Sequence, residues 1–333
     1  MAYITLNKNN FFNNLDIIAS HTKSKDKIAI VLKDNAYGHG LTEIASLANE
    51  YGIKKAVVRS EEEARTIQNN FEYILVLASI PDKPSSKIRY TINDINSINK
   101  FPKDTLVELK VDSGMHRNGI NKSELRSAFI KIKDAGLILE ALFTHHRSAD
   151  ELTSEWFWQN LNFKSVKEEA NSLAQEFGFN PLRFHSANSA SLFRTDSFDE
   201  DMARVGIASY GCLEACEKLL PVLSLYAYKL SSREVKKGER VGYGGIFTAK
   251  ENCVVSNYNF GYGDGFLRNS SNDFVTSSGV KQIGRISMDN SSFISESENL
   301  LIFENAVDAA KTANTISYEV LTSLKTSLKR EII

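Results

Sequence analysis

The run Lys27-Ile28-Ala29-Ile30-Val31-Leu32-Lys33-Asp34-Asn35-Ala36-Tyr37-Gly38-His39-Gly40 decides how this chain is read. Five apolar residues between two lysines predict a fully buried strand. Lys33 closes that strand, and a Tyr-Gly-His-Gly turn comes within four residues. A lysine at a strand end is partly desolvated, which favours the neutral, nucleophilic amine. A hydroxyl and glycine amides stand next to it, so an anion has a seat beside the amine. That is the equipment for a Schiff base to a phosphorylated aldehyde. A solvated lysine at a strand terminus is the plainer alternative, and the polar residues further along the chain decide against it.

Outward from this run the same pattern repeats. Strand-like apolar runs lie at 27–33, 54–59, 73–79, 89–93, 105–111, 137–144, 182–186 and 202–209. Helical patterns lie between most of them, at 41–51, 60–69, 122–135, 152–177 and 189–194, after an opening strand and a helix over 8–21. Alternating strand and helix implies a parallel sheet. Eight such strands fit a closed (β/α)8 barrel of the TIM type. Past about residue 215 the texture changes to Val, Tyr, Phe, Ser and Gly with turn signals such as Lys237-Gly238 and Ser278-Gly279. This predicts a mostly antiparallel β domain. Residues 8–215 are therefore expected to form the barrel. Residues 216–333 are expected to form the β domain, closed by helices near 305–313 and 317–329. The strand at 2–7 is expected to join that second domain, because it precedes the alternation.

Composition bounds the function. The 333 residues hold about two domains, with 42% hydrophobic and 24% charged residues, as in ordinary globular proteins. Forty Lys and Arg against 41 Asp and Glu leave a net charge of −1, which makes no case for nucleic acid or an anionic membrane as partner. The three cysteines, Cys212, Cys216 and Cys253, are too few for a disulfide framework, and no ligand set around them predicts a metal. No export signal or membrane-length apolar run is visible, so the expected location is the cytoplasm.

A barrel enzyme carries its site at the C-terminal ends of its strands. The polar residues of this chain collect there: Lys33 after the first strand, Lys110, Asp112 and Arg117 after the fifth, Thr144, His145 and His146 after the sixth, His185, Asn188 and Ser189 after the seventh, and Arg204 and Gly206 at the eighth. The loops after the last two strands are the usual phosphate seat of such barrels, and both lead into helix starts, which favour anions. Singly, each residue has a plain reading. Arg117 and Arg204 fit surface ion pairs, Tyr262 a turn and Tyr318 a core. His145-His146 fit a zinc pair, although adjacent strand residues point to opposite faces.

Eight strings, in order, resemble the alanine racemases: KDNAYGHG, KVDSGMHRNG, FTHH, HSANSAS, ARVGIASYG, GYGDGF, GRISMDN and SYEVLT. They run from Lys33 to beyond Tyr318 and so span nearly the whole chain. The resemblance implies a pyridoxal 5′-phosphate (PLP) enzyme with a barrel and a C-terminal β domain, a homodimer with shared active sites, and alanine as substrate. It implies D-alanine supply for cell-wall peptidoglycan. It further implies that Lys33 carries PLP and is the base for D-alanine, and that Tyr262, from the second subunit, is the base for L-alanine. Tyr37, Asn188, Ser189, Gly206, Ile207 and Tyr318 match cofactor-holding positions. Arg204 matches the residue facing the pyridine nitrogen, and Arg117 the contact to the cofactor's phenolic oxygen and the substrate. Met288 matches the residue whose N–H meets the substrate carboxylate, with Asp289 at the entry. His145 matches a support for Tyr262, and Lys110 a lysine that is carbamylated in some members. His116, Asn118 and His146-Arg147 stand where members carry smaller or apolar residues.

The chemistry is consistent with those residue types. Racemisation needs a proton-accepting group on each face of the α-carbon. Neither lysine nor tyrosine is a base near neutrality unless its surroundings favour the neutral amine or the phenolate. An arginine at the ring nitrogen discourages ring protonation and so limits a long-lived carbanion. The competing readings are a racemase of another or broader range, such as serine, and a non-catalytic PLP-binding barrel. The latter class lacks the β domain and the Tyr262 equivalent.

Overall fold

A computed structural model describes residues 2–195 and 197–333. Two compact units emerge, one holding residues 15–34 and 44–209, the other the residues up to Asn14 with 35–43 and 210–333. In chain order the strands are β1 (Tyr3–Leu6), β2 (Ile28–Val31), β3 (Lys55–Val58), β4 (Tyr73–Val76), β5 (Ile88–Ile92), β6 (Leu106–Lys110), β7 (Ile138–Phe143), β8 (Arg183–His185), β9 (Ala203–Val205), β10 (Leu223–Val235), β11 (Arg240–Val241), β12 (Phe247–Thr248), β13 (Cys253–Tyr258), β14 (Gln282–Ile283), β15 (Ser291–Phe293), β16 (Asn299–Phe303) and β17 (Lys329–Ile332). The helices are α1 (Lys8–Thr22), α2 (Lys33–Tyr37), α3 (Leu41–Tyr51), α4 (Glu61–Ile67), α5 (Leu125–Asp134), α6 (Glu155–Phe177), α7 (Ser189–Phe193), α8 (Ala306–Ala313) and α9 (Ser317–Ser323).

In the first unit eight strands pair in parallel in the order β9-β2-β3-β4-β5-β6-β7-β8. The two ends of this path are joined by backbone bonds from Asp201 N to Phe184 O (3.2 Å) and from Arg204 N to Ala187 O (2.9 Å), so the sheet curls into a barrel. Each strand coincides with one of the eight apolar runs. Helices cover the outside because their apolar residues recur at helical spacing. In α5 the buried residues Leu125, Ala128, Phe129 and Ile132 fall at i, i+3, i+4 and i+7. Each such side chain removed from water contributes about 1.5–3 kcal/mol if it is Leu, Ile or Phe. α6 stops at Gly178, whose left-handed backbone (φ 73°) closes the helix.

The second unit is built on the sheet β14-β15-β13-β10-β1-β17, with β16 also paired to β10 and β11-β12 as a separate ribbon. All of its pairings are antiparallel except β1 with β17. The first strand of the chain thus lies between β10 and β17. The helix expected over 317–329 is shorter than its sequence pattern. It ends at Ser323, Leu324 turns extended (φ −61°, ψ 124°), and Lys329–Ile332 become a strand. The reason is an available edge: β1 offers Tyr3–Leu6 as a parallel partner in register with Lys329–Ile332.

Among the described residues no helix is long and apolar enough to cross a membrane, and no group of three or more His, Cys, Asp or Glu is arranged to hold a metal.

Candidate active site

The strand that opens the barrel ends at Val31, and Leu32 N extends its pairing to Val57 O (2.8 Å). Lys33, half-buried, begins α2. Asp34, Asn35, Ala36 and Tyr37 all carry φ between 50° and 57°, so α2 is a left-handed turn of four non-glycine residues. Each such residue costs about 1–2 kcal/mol against the right-handed form, and turns of this kind persist only where surroundings over-determine them. The surroundings here are specific. The α4 capping box places Glu63 so that one carboxylate oxygen accepts from Arg59 N (2.8 Å) and Ser60 N (3.3 Å). The other oxygen accepts from Asp34 N (2.7 Å). Asn35 Oδ1 accepts from Leu41 N (2.9 Å). Gly38 O accepts from Arg330 Nε (3.0 Å) and Nη2 (2.8 Å).

Around the barrel rim the other strand ends supply cations. Lys110 ends β6. Burial first, then Arg117 and Arg204, bring its amine down to about 8, and Lys33 adds to the same effect. The loop after it is closed by Ile120 N to Lys110 O (3.0 Å) and Asp112 N to Ile120 O (2.9 Å). Asp112 Oδ1 accepts from the amides of Gly114 (2.8 Å), Met115 (2.9 Å) and His116 (3.2 Å). Burial alone would raise this carboxyl; the amides hold it below its ordinary range. His116 leans back on Asp112 (3.4 Å), while Arg117 is exposed at the loop tip. Gly114 has no room for a side chain, because the Trp158 ring lies 2.2 Å from where a Cβ would stand.

His145 lies two residues past the end of β7, after Thr144. Burial, then Arg204, Lys110 and Arg117, keep its imidazole well below 6.5, so it is neutral. His146, buried, binds Ser191 Oγ through Nδ1 (2.8 Å). Ser191 in turn gives both N (2.9 Å) and Oγ (3.0 Å) to Asn188 Oδ1, which caps α7. His146 therefore braces the Asn188-Ser189 loop. Glu200 braces it from the other side by accepting from Ser186 N (2.6 Å) and Ala187 N (3.0 Å). Ser189 Oγ accepts from Gly206 N (3.1 Å) and Ala208 N (3.3 Å), which draws the two rim loops into one seat of hydroxyl and amides, with Ile207 buried between them.

Arg204, on β9, is 6% exposed. Its terminal nitrogens reach Thr144 O (2.7 Å), Ser186 O (3.2 Å) and His185 O (3.2 Å), and Nη1 also meets His185 Nδ1. Burial lowers the guanidinium to about 10, against Glu200 and Glu108, which raise it; it stays cationic at neutral pH.

Within the other unit, Tyr37 sits between Tyr210 and Tyr318, with ring centroids 5.5 and 5.6 Å away. Tyr262, 40% exposed, stands on the Gly261–Gly265 turn. That turn is pinned by Tyr262 N to Ser287 O (3.0 Å) and Gly263 N to Met288 O (2.8 Å). The GYGDG and GRISMDN strings are thereby adjacent backbone segments, with Met288 and Asp289 exposed beside Tyr262's turn. A Cβ at Gly261 would lie 2.3 Å from Met288 O, which is why glycine stands there.

The rim thus brings together Lys33, Lys110, Arg117, His145, Asn188, Ser189, Arg204, Gly206 and Ile207, while Tyr37 with Tyr318, and Tyr262 with Met288 and Asp289, are gathered within the second unit. Reading the sequence missed Glu108, Tyr73, Arg183, Tyr210 and Arg330. A signal for the first was present: Glu108 and Lys110 are two apart on β6 and so share one face, and a carboxylate on the inward face of a barrel strand is out of place.

The residues at the rim suit an anionic, phosphorylated ligand. Lys33, Lys110, Arg117 and Arg204 converge there with Asp112 as the carboxylate that acts on Lys110, and the Ser189 seat adds neutral donors. The chain matches the profile of the alanine racemase N-terminal domain over residues 6–214 and of the alanine racemase C-terminal domain over 222–332. It is 43% identical over 335 residues to an alanine racemase of a Nitratiruptor species, covering 99% of each chain. It is 41% identical to one of Campylobacter curvus, covering 100% of each. Among solved structures it is similar to the Bacillus anthracis alanine racemase with bound L-Ala-P (TM-score 0.88, 27% identity). That similarity covers 100% of this chain and 95% of the other. The Clostridium difficile 630 alanine racemase gives a TM-score of 0.89 at 26% identity with the same coverage.

Proposed function

The chain belongs to the alanine racemase family, amino-acid racemases of the isomerase class, and we propose that it interconverts L- and D-alanine with PLP, using Lys33 and Tyr262 as its two proton-carrying groups. The observation that carries this reading is the rim itself: an amine, three further cations and a hydroxyl-and-amide seat at the ends of parallel strands, in a chain matched by both domains of the family. Lys33 holds the cofactor through its amine. Ser189, Gly206, Ile207 and Asn188 would take the phosphate, and by the family's pattern Tyr37 and Tyr318 would also contact the cofactor. Arg204 would meet the ring nitrogen of the bound cofactor, and Arg117 would meet its phenolic oxygen and the substrate. Lys110, its amine brought down to about 8, would steady Arg117 once carbamylated, because a carbamate carries the charge opposite to the guanidinium. Bound PLP supplies the electron sink for the pair left at the α-carbon.

The proton chemistry belongs to the chain. Lys33 Nζ takes or returns the α-proton on one face, and Tyr262 Oη on the other; a base on each face is what inversion requires. His145, neutral by burial, supports the tyrosine. Met288 N–H binds the substrate carboxylate, and Asp289 lines the entry. Lys33 and Tyr262 belong to different units, and Tyr262 comes from the second subunit of a homodimer. The product supplies D-alanine for peptidoglycan, in the cytoplasm.

A chiral assay on L-alanine, L-serine and L-lysine tests the reading directly. D-alanine should be the main product. Borohydride treatment with PLP present should label Lys33, and Lys33→Ala should lose the label. Tyr262→Phe should lose about 10²–10⁴-fold in α-proton removal from L-alanine. Mixed Lys33→Ala and Tyr262→Phe subunits should regain activity, because one site of each heterodimer keeps both groups. Label on another lysine, or verified subunit exchange with no regained activity, would refute the respective assignment.

A further inference from the structure

Below the rim, inside the barrel, lies a chain of polar groups that the proposed chemistry does not itself use. Glu108 is fully buried, one inward position below Lys110 on β6. Its carboxylate accepts from Tyr73 Oη (2.5 Å), Arg183 Nη2 (3.0 Å) and His185 Nε2 (2.8 Å). Burial would raise this carboxyl, but His185, Arg183 and Tyr73 together hold it at about 2, so it is an ionised acceptor. His185, also fully buried, faces Glu108 with Nε2 and the Arg204 guanidinium with Nδ1. The Phe143 ring stacks on the imidazole (4.8 Å, 10°) and lies 5.1 Å from the Arg204 guanidinium carbon.

The inventory of donors settles where the imidazole proton is. A guanidinium offers only donors and an ionised carboxylate only acceptors. His185 must therefore present a lone pair at Nδ1 and a proton at Nε2. Burial lowers its pKa, in keeping with one ring proton rather than two. The ring is pinned from both edges and one face, and Arg204 is oriented by the lone pair that results.

We infer that Glu108 is a positioning residue for Arg204: by holding the proton on His185 Nε2 it keeps Nδ1 an acceptor and so fixes the plane of the guanidinium that faces the site. The inference rests on the reading of Arg204 as the contact to the cofactor ring. A purely structural alternative exists, in which Glu108 only neutralises Arg183, and the two make different predictions. Arg183 keeps a second carboxylate, Glu140 (2.8 Å), whatever happens at position 108.

The test begins with nitrogen NMR of the full chain carrying isotope-labelled histidine, with and without added PLP. There are six histidines, and His185 is assigned by the signal missing from His185→Gln. The wild-type chain should show a neutral ring protonated at Nε2 in both samples. An Nδ1-protonated or doubly protonated ring overturns the inference without any variant at position 108. Glu108→Gln retains an acceptor oxygen and should keep this tautomer; Glu108→Met should give a mixture. In the PLP-loaded enzyme Glu108→Met should lower kcat by roughly 10- to 100-fold, as for a misplaced catalytic group, with KM within about twofold and the cofactor absorption band shifted. Glu108→Gln should restore most of both. If Arg204→Lys shifts the band but Glu108→Met does not, the inference fails and the role of Arg204 stands. If neither shifts it, the reading of Arg204 as a ring contact falls, and the inference with it.

Discussion

Replacing Gly38 by alanine should destabilise the protein far more than the same change at Gly178, although both glycines have nearly the same backbone. Gly38 has φ +76° and Gly178 φ +73°, so an added Cβ meets the same left-handed penalty, about 1–2 kcal/mol, at each. What differs is the neighbour. At Gly178 nothing lies within 4 Å of the new methyl. At Gly38 it would stand 2.0 Å from Leu321 O and 2.9 Å from Leu321 C, where real contacts do not fall under 3.0 Å. Both partners are backbone, so the turn or α9 must move by about an ångström. Movement disturbs the two Arg330 bonds to Gly38 O and the Tyr37–Tyr318 contact. Overpacking and lost charged hydrogen bonds add about 3 kcal/mol or more to the backbone term. At roughly 2–4 °C per kcal/mol, the 4–5 kcal/mol or more at Gly38 should lower the Tm of Gly38→Ala by about 8–20 °C or more, against about 2–8 °C for the 1–2 kcal/mol at Gly178→Ala. Calorimetry of both variants at one protein concentration and scan rate reads the difference. Equal Tm values would refute the steric argument and show that the turn yields freely.

Arg330→Met should destabilise the chain by about 2–4 kcal/mol, because the guanidinium donates to the carbonyls of Gly38, Lys325, Thr326 and Leu328; a Tm within about 1 °C of wild type would exclude it as the clamp of the turn. His39 and His146 are each lowered by burial from 6.5 to about 4. The unfolded chain therefore binds more protons between those values, and stability should be full above about pH 6.5 and fall as pH drops towards 4. Thermal midpoints across that window should show a shallower fall in His146→Gln, and an unchanged slope would contradict the assignment. Ser189→Ala should weaken PLP binding by about 10- to 100-fold, because Gly206 N and Ala208 N lose the oxygen that aligns them. Titration of the apo chain measures this, and an unaltered Kd would remove that seat from the site.

The barrel was legible because its signals are local. Each strand is a short apolar run with turn residues at its ends, and a polar residue placed directly after such a run has to lie at the strand's end. Lys33, Lys110, His145 and Arg204 could be put on one rim from order alone. The left-handed turn over Asp34–Tyr37 was not legible. Ala36 and Tyr37 have no intrinsic preference for positive φ, and their conformation depends on Glu63, Arg330 and the Leu321 carbonyl, which lie far away along the chain. Glu108 by itself is illegible for a related reason: an isolated carboxylate in a strand reads as a solvent-facing residue until its partners, Tyr73, Arg183 and His185, are known to surround it.

What the sequence by itself determined was periodicity and order: eight parallel strands alternating with helices, a β-rich C-terminal part, and the chemical types available at the strand ends. Tertiary structure alone decided that Lys329–Ile332 is a strand, since an edge with charged residues forms only where β1 offers hydrogen bonds. Tertiary structure alone also decided that residues 35–43 pack with the C-terminal unit, and that His185 stands between the Glu108 carboxylate and the Arg204 guanidinium. The physical reason is common to all three. Apolar periodicity is written into neighbouring residues, whereas backbone pairing at an edge, strain in a left-handed turn and the contacts of a buried ring are set by partners that only folding brings within hydrogen-bonding reach.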